Sequence, residues 1–138
     1  MKNKIFLLSI LCLVVSFSCK KPAGSDTRDQ YYVKYILDGG SSMQQASTTG
    51  LKITLKNETG ALNDYIRSNR GTNEFIVGPI SKGFIASLKG TNVCCKLCCY
   101  IRPNLQIYTS ENNGPFVLKN EDLSKDLRDE AQISYLVE

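Results

Sequence analysis

Gln30–Leu37 reads QYYVKYIL, and Asp38-Gly39-Gly40 follows it. Side chains of an extended chain alternate between two faces, so Tyr31, Val33, Tyr35 and Leu37 share one face and Tyr32 and Lys34 fall on the other. Aromatic and β-branched residues at this density favour a pleated, half-buried strand. The Asp-Gly-Gly cluster stops it.

Working outward, the same alternation returns at short intervals. Leu51–Asn57 sets Leu51, Ile53 and Leu55 inward and Lys52, Thr54 and Lys56 outward, and Asn57-Glu58-Thr59-Gly60 turns. Asn57-Glu58-Thr59 also matches the N-glycosylation acceptor pattern. Ala61–Ser68 (ALNDYIRS) stays open between strand and helical turn, because Leu62, Tyr65 and Ile66 also fit helical spacing. Glu74–Val77 is a short strand ended by Gly78-Pro79, where proline suits a strand end or an edge. Phe84, Ala86 and Leu88 form the face of another, after the Ser81-Lys82-Gly83 turn. Leu105–Ser110 alternates again and returns through Phe116–Leu118 after Glu111-Asn112-Asn113-Gly114, which contains the Asn-Gly hairpin signal. A short helix is expected around Leu123–Leu127, and Ala131, Ile133, Tyr135 and Val137 mark a closing strand. About seven short strands separated by turn signals predict an all-β chain, an antiparallel immunoglobulin-like β-sandwich.

Upstream, Lys2 and Lys4 precede Ile5–Phe17, an almost unbroken apolar run. It is shorter than the roughly 20 residues a membrane span needs and matches the hydrophobic region of a secretory signal. Ser16-Phe17-Ser18-Cys19 closes it and resembles the lipobox of bacterial lipoproteins, in which the cysteine carries diacylglycerol and becomes the first mature residue. Phe17 stands where the commonest lipobox has a small residue. The expected organisation is therefore a signal peptide over 1–18, a lipidated tether over 19–29 and a β-sandwich domain over 30–138. Two or more acyl chains, at about 0.8 kcal/mol per buried CH₂, hold a protein stably on a bilayer. The alternative is ordinary cleavage near Ser18. Lys20–Arg28 is polar with Pro, Gly and Ser, a flexible tether. Asp26 and Asp29 are too sparse and late for the acidic cluster of surface-exported lipoproteins, so the expected address is the outer membrane, facing the periplasm.

Composition removes several function classes. Of 17 basic residues against 13 acidic ones, Lys2 and Lys4 leave with the signal, so the mature balance is 15 against 13, or +2. A nucleic-acid reader shows a basic stripe, and this chain has none. It has no histidine, which excludes Ser-His-Asp and Cys-His catalysis and the commonest metal ligand. Carboxylates such as Asp64 and Glu74 remain for a hydrolase, with nothing in the sequence that pairs them. No enzymatic activity and no cofactor are expected.

Val93–Tyr100 (VCCKLCCY) is the unusual local feature. Three chemistries compete for Cys94, Cys95, Cys98 and Cys99. Disulfide stapling fits an oxidising envelope and an even count. In an extended strand Cys94 and Cys98 would lie about 13 Å apart, beyond the roughly 7 Å a bridge allows, so the segment must turn. A turn at Lys96-Leu97 sets Cys95 opposite Cys98 and Cys94 opposite Cys99, and the Cys94–Cys99 bridge is expected first. Zinc binding is the second chemistry, although structural sites draw knuckles from separate parts of a chain. Thiol-redox chemistry at Cys95-x-x-Cys98 is the third and lacks the helix N-terminus that lowers a thiol pKa.

The seven tyrosines are Tyr31, Tyr32, Tyr35, Tyr65, Tyr100, Tyr108 and Tyr135. Most suit core packing with a wet hydroxyl. Tyr32 and Tyr108 fall opposite the more apolar faces and are the candidates for contact with a partner.

The lipobox, the short tether, Tyr31-Tyr32-Val33-Lys34-Tyr35, the Lys52–Lys56 strand, Lys82-Gly83-Phe84 with Ala86 and Leu88, and the Leu105–Phe116 hairpin occur in a suggestive order. Together they resemble the small Bacteroidetes lipoproteins with an immunoglobulin-like domain, a layout similar to the mycobacterial membrane-protein-small (MmpS-like) proteins. The resemblance covers most of 19–138 through motifs that are largely strand alternation. It implies an envelope accessory module without catalysis, lipid-anchored and partnered by another envelope protein, as the mycobacterial proteins work beside a large transporter. It offers no site motif to carry over.

Overall fold

The computed structural model describes residues 29–39, 50–68, 71–93, 103–123, 126 and 128–138. The signal segment, Cys19, most of the tether, Tyr100 and the whole cysteine cluster Cys94, Cys95, Cys98 and Cys99 lie outside the described residues.

Strict alternation becomes strand geometry wherever it occurs. Eight strands form: β1 (Tyr31–Asp38), β2 (Gly50–Lys56), β3 (Leu62–Ser68), β4 (Thr72–Ile80), β5 (Ile85–Asn92), β6 (Asn104–Glu111), β7 (Val117–Leu123) and β8 (Glu130–Leu136). They pair antiparallel into two four-stranded sheets, ordered β4-β1-β6-β7 and β3-β2-β5-β8. This is the all-β sandwich that the alternation predicts. An immunoglobulin constant domain orders its strands ABED over CFG; the order here runs differently, with each sheet taking strands from both halves of the chain.

The inward sets are those the period of two selects. Val33, Tyr35 and Leu37 of β1, Leu51, Ile53 and Leu55 of β2, Leu88 of β5, and Leu105 and Ile107 of β6 are all buried in one core. Ala131, Ile133 and Val137 join it from the closing strand and its end. The Tyr35 side chain crosses the core, and its hydroxyl donates to the Lys56 carbonyl of the other sheet at 3.0 Å. At the β3/β4 margin the rings of Tyr65 and Phe75 stand 4.8 Å apart, tilted by 40°.

One local feature left open by the sequence is decided here, and two differ from the sequence reading. The 61–68 stretch resolves as a strand, because Leu62–Ser68 pairs residue by residue with β2; hydrogen bonding to a neighbour outweighs the helical spacing of three apolar residues. Gly78-Pro79 does not end β4. The strand continues to Ile80 across a bulge: Val33 faces Val77 and Tyr31 faces Ile80, leaving one extra residue on β4. Gly78 takes φ +148, and a Cβ there would lie 2.7 Å from Tyr32 Cδ1 and 2.9 Å from the Tyr31 carbonyl oxygen. Leu123 belongs to β7 rather than to a helix.

The β6–β7 connection is a mirror-image turn, as expected, but displaced by one residue. Asn112 and Asn113 carry the two positive φ angles, 50° and 61°, which such a turn requires at its central pair, and Gly114 N–H donates to the Glu111 carbonyl at 2.8 Å.

The chain runs up and down the sandwich without exception. Tyr31 of β1 lies level with Glu111 and Ile80, and Asp38 lies level with Asn104 and Thr72. One end, where β1 begins, carries the β2–β3, β4–β5 and β6–β7 turns. At the other end β1, β3, β5 and β7 stop and β2, β4, β6 and β8 start. Val93 and Pro103, the described residues that flank the cysteines in sequence, therefore lie at the end opposite the one where β1 begins.

Candidate functional site

Tyr32 and Tyr108, the contact candidates of the sequence, come to one surface, the outer face of β4-β1-β6-β7. Alternation on β1 turns Tyr32 and Lys34 out while Tyr31, Val33 and Tyr35 turn in, and β6 does the same with Gln106 and Tyr108. Register then places Ile76, Lys34, Tyr108 and Leu118 in one row across all four strands. Tyr32 stands diagonally from Tyr108, opposite Ser110.

Lys34 is the centre of this face. Its Nζ lies 5.0 Å from the centre of the Tyr108 ring and 4.9 Å from that of Phe116. Two ring faces around one ammonium contribute about 0.5–1 kcal/mol each at exposed sites. The pairing also fixes the two rings relative to the sheet. Tyr108 donates its hydroxyl to Gln106 Oε1 at 3.2 Å, and Gln106 donates to Glu121 Oε2 at 3.3 Å. The result is an aromatic and cationic centre with Ile76 (57 % exposed) and Leu118 (40 %) at its margins, and a hydrogen-bonded polar flank.

Tyr32 and Tyr108 are thus where the sequence placed them. Lys34, Phe116, Ile76 and Leu118 were not singled out, because only cross-strand register shows that residues this far apart in sequence share a row.

The opposite outer face differs in chemistry. Lys52, Thr54, Asp64, Ser87, Lys89, Thr91, Glu130 and Gln132 line an open groove of about 500 Å³. Lys52 pairs with Asp64 at 2.9 Å and Lys89 with Glu130 at 2.8 Å. The Thr54 hydroxyl, with Lys52 beside it, holds the Asp64 carboxyl below its ordinary pKa. Charges already matched across strands leave no net field for a ligand of one sign. Asp64 faces this groove, whereas Glu74 lies on the other outer face beside Ile36, so the two carboxylates named as a hydrolase alternative do not meet. At the end where β1 begins, a smaller cavity of about 230 Å³ opens between the sheets beside Tyr31, Thr109, Tyr135 and Glu138. Burial, with Glu111 and Asp29 nearby, raises the Tyr31 phenol pKa, and the hydroxyl points at Glu111 Oε1 from 3.5 Å.

Comparison of the chain with protein-family models, with curated proteins and with solved structures finds no match. Physical reading of these surfaces is the basis for assigning a role.

Proposed function

We propose that the chain is a lipid-anchored, non-enzymatic module of the cell envelope that docks another envelope protein through the outer face of β4-β1-β6-β7. The observation that carries the reading is the row Ile76–Lys34–Tyr108–Leu118 with Phe116 folded against it. Contact surfaces concentrate aromatic side chains at their centre, and a ring-clasped lysine presents a rigid aromatic pair at low entropic cost. The anchor supports the same reading: Cys19 on a bilayer, with residues 20–29 as tether, keeps the domain at a membrane surface, where a partner in or on that membrane is always near. The described surfaces offer no competing catalytic arrangement, and the resemblance to small envelope lipoproteins points the same way.

The test is a photo-cross-linking amino acid placed at position 108 and, separately, at position 132 on the opposite face, in living cells. Position 108 should trap one reproducible neighbour and position 132 should not. Tyr108→Ala should then lower recovery of that neighbour by about 30-fold, the effect of losing a central aromatic anchor worth about 2 kcal/mol. Equal trapping from both faces, or none from either, overturns the assignment.

A further inference from the structure

The two sheets have four edge strands: β4 and β7 on one, β3 and β8 on the other. An edge presents unpaired backbone groups, and folded proteins normally blunt it with bulges, prolines, lysines or covering segments. Three of the four edges here are blunted. β4 carries the Gly78-Pro79 bulge. β7 carries a register shift that leaves Lys119 as the extra residue. β7 and β8 also cover each other at one corner, where Asn120 Nδ2 donates to the Ser134 carbonyl at 2.8 Å.

Among the described residues, the only such feature on β3 is the pair of charges Asp64 and Arg67. Its seven residues pair with β2 in unbroken register and include no proline, glycine or lysine. Leu62 is 64 % exposed and Ile66 58 %. The direction of its backbone groups follows from the two hydrogen bonds at the ends of β2: Asn57 N–H donates to the Ala61 carbonyl, and Val93 N–H to the Gly50 carbonyl. Antiparallel ladders alternate bonded and non-bonded pairs, so Asn63 and Tyr65 direct their N–H and C=O groups to β2. Leu62, Asp64 and Ile66 direct theirs away from it. The Ile66 carbonyl accepts from the guanidinium of the adjacent Arg67 at 3.2 Å, which agrees with its lying outside the ladder.

We propose that β3 pairs with β3 of a second copy of this chain, antiparallel about a two-fold axis, so that two four-stranded sheets become one of eight strands. The strand is complementary to itself in one register. With Tyr65 opposite the partner's Tyr65, Asp64 faces the partner's Ile66, and Ile66 faces the partner's Asp64. The outward N–H and C=O groups of these residues then meet, all seven residues overlap, and an aromatic pair sits at the centre, a favourable cross-strand contact. Sliding two residues one way sets Asp64 opposite the partner's Asp64, a like-charge pair. Sliding the other way shortens the overlap. Each Asp64 keeps its own Lys52 throughout, and each Arg67 keeps its place over the Tyr65 ring of its own chain. Edge pairing of one short strand is a small interface, in the weak class below about 1,200 Å². It uses a different surface from the docking face above and stands or falls separately.

The experiment is sedimentation of the full chain, extracted from membranes in detergent, over a wide concentration range. A dimer fraction rising with concentration is expected. Ile66→Pro removes an N–H that β2 does not use, and proline is tolerated on edge strands in that orientation; Ile66→Lys keeps the N–H and adds an edge charge. Both should sediment as monomers with unchanged β-sheet circular dichroism. Zero-length tyrosine photo-cross-linking should join Tyr65 to the partner's Tyr65 in the wild type and in neither variant. If Ile66→Pro unfolds, Ile66→Lys decides. A wild type that stays monomeric throughout, a dimer that both variants leave intact, or a β3 edge found occupied by another protein's strand would each overturn the proposal.

Discussion

Tyr35→Phe removes one oxygen atom from the middle of the sandwich and should show how firmly the sheets are tied. Tyr35 is fully buried, and its hydroxyl reaches from β1 to the Lys56 carbonyl on β2 at 3.0 Å. A hydrogen bond of this kind contributes about 0.5–1.5 kcal/mol net, and stranding its buried acceptor costs about 1–3 kcal/mol. Lys56 is half-buried, so the acceptor regains some water, and a loss of about 1.5–2 kcal/mol is expected. In urea, where a small domain loses about 1–3 kcal/mol per molar, the unfolding midpoint should fall by about 1 M. The pH dependence gives a second, independent reading. Burial pushes the Tyr35 phenol from its ordinary 10.0 up to about 12, with a backbone hydrogen bond from Ser87 pulling the other way. A phenol whose pKa is raised on folding contributes its full stability below the unfolded value and loses it as pH climbs through the folded one. The wild type should therefore lose stability relative to Tyr35→Phe from about pH 10 to about pH 12, by at most about 2 kcal/mol after allowance for solvent screening. The gap between the two proteins should close over that window. A variant as stable as the wild type at pH 7, or a gap that stays constant to pH 12, would refute the inter-sheet tie.

Other expectations are as specific. Gly78→Ala should destabilise the fold by about 1–3 kcal/mol in chemical denaturation, because its Cβ meets the Tyr31 carbonyl at 2.9 Å with φ at +148 and backbone cannot step aside. Asp64→Asn should lower stability only slightly at neutral pH, since its pair with Lys52 is half-exposed and solvent-screened; the lowered Asp64 pKa means that the wild-type advantage fades as acid protonates the carboxylate, so the two proteins should converge at low pH. Cys19→Ser should move the chain from the membrane fraction to the soluble envelope fraction on sucrose-gradient analysis, and diacylation should be lost from its intact mass. Alkylation with and without reduction should find Cys94, Cys95, Cys98 and Cys99 blocked until reduced if they staple the chain. Free thiols or bound zinc in that assay would instead make the cluster a chemical site.

Much of this architecture was readable before the coordinates. Tyr31/Val33/Tyr35/Leu37 and Leu51/Ile53/Leu55 are buried as alternation requires, because one face of each strand must leave water and a period of two decides which. Tyr32 and Tyr108 are outward for the same reason. Register was less legible. The bulge at Gly78-Pro79 and the one-residue displacement of the Asn112-Asn113 turn depend on how neighbouring strands align, and alternation within one strand is silent on that. The clasp of Lys34 by Tyr108 and Phe116 was hidden for a related reason: its parts come from two strands and a connection, and no local window holds all three. β3 was ambiguous because its apolar residues fit two periods, and only the β2 partner decides between them.

The up-and-down course of the chain divides its connections into two kinds that tolerate change differently. At the end where β1 begins, the connections of five, four and five residues are built from positive-φ residues and backbone hydrogen bonds, including Gly60 N–H to the Asn57 carbonyl. An insertion there would shift the strands it joins. At the opposite end, two connections span eleven residues each, 39–49 and 93–103, and loop closure grows only slowly with length, about 0.6 kcal/mol per doubling. A change of length in either of these two connections should therefore cost little and leave the ladders in step, which makes them the places to insert an epitope tag or a grafted peptide.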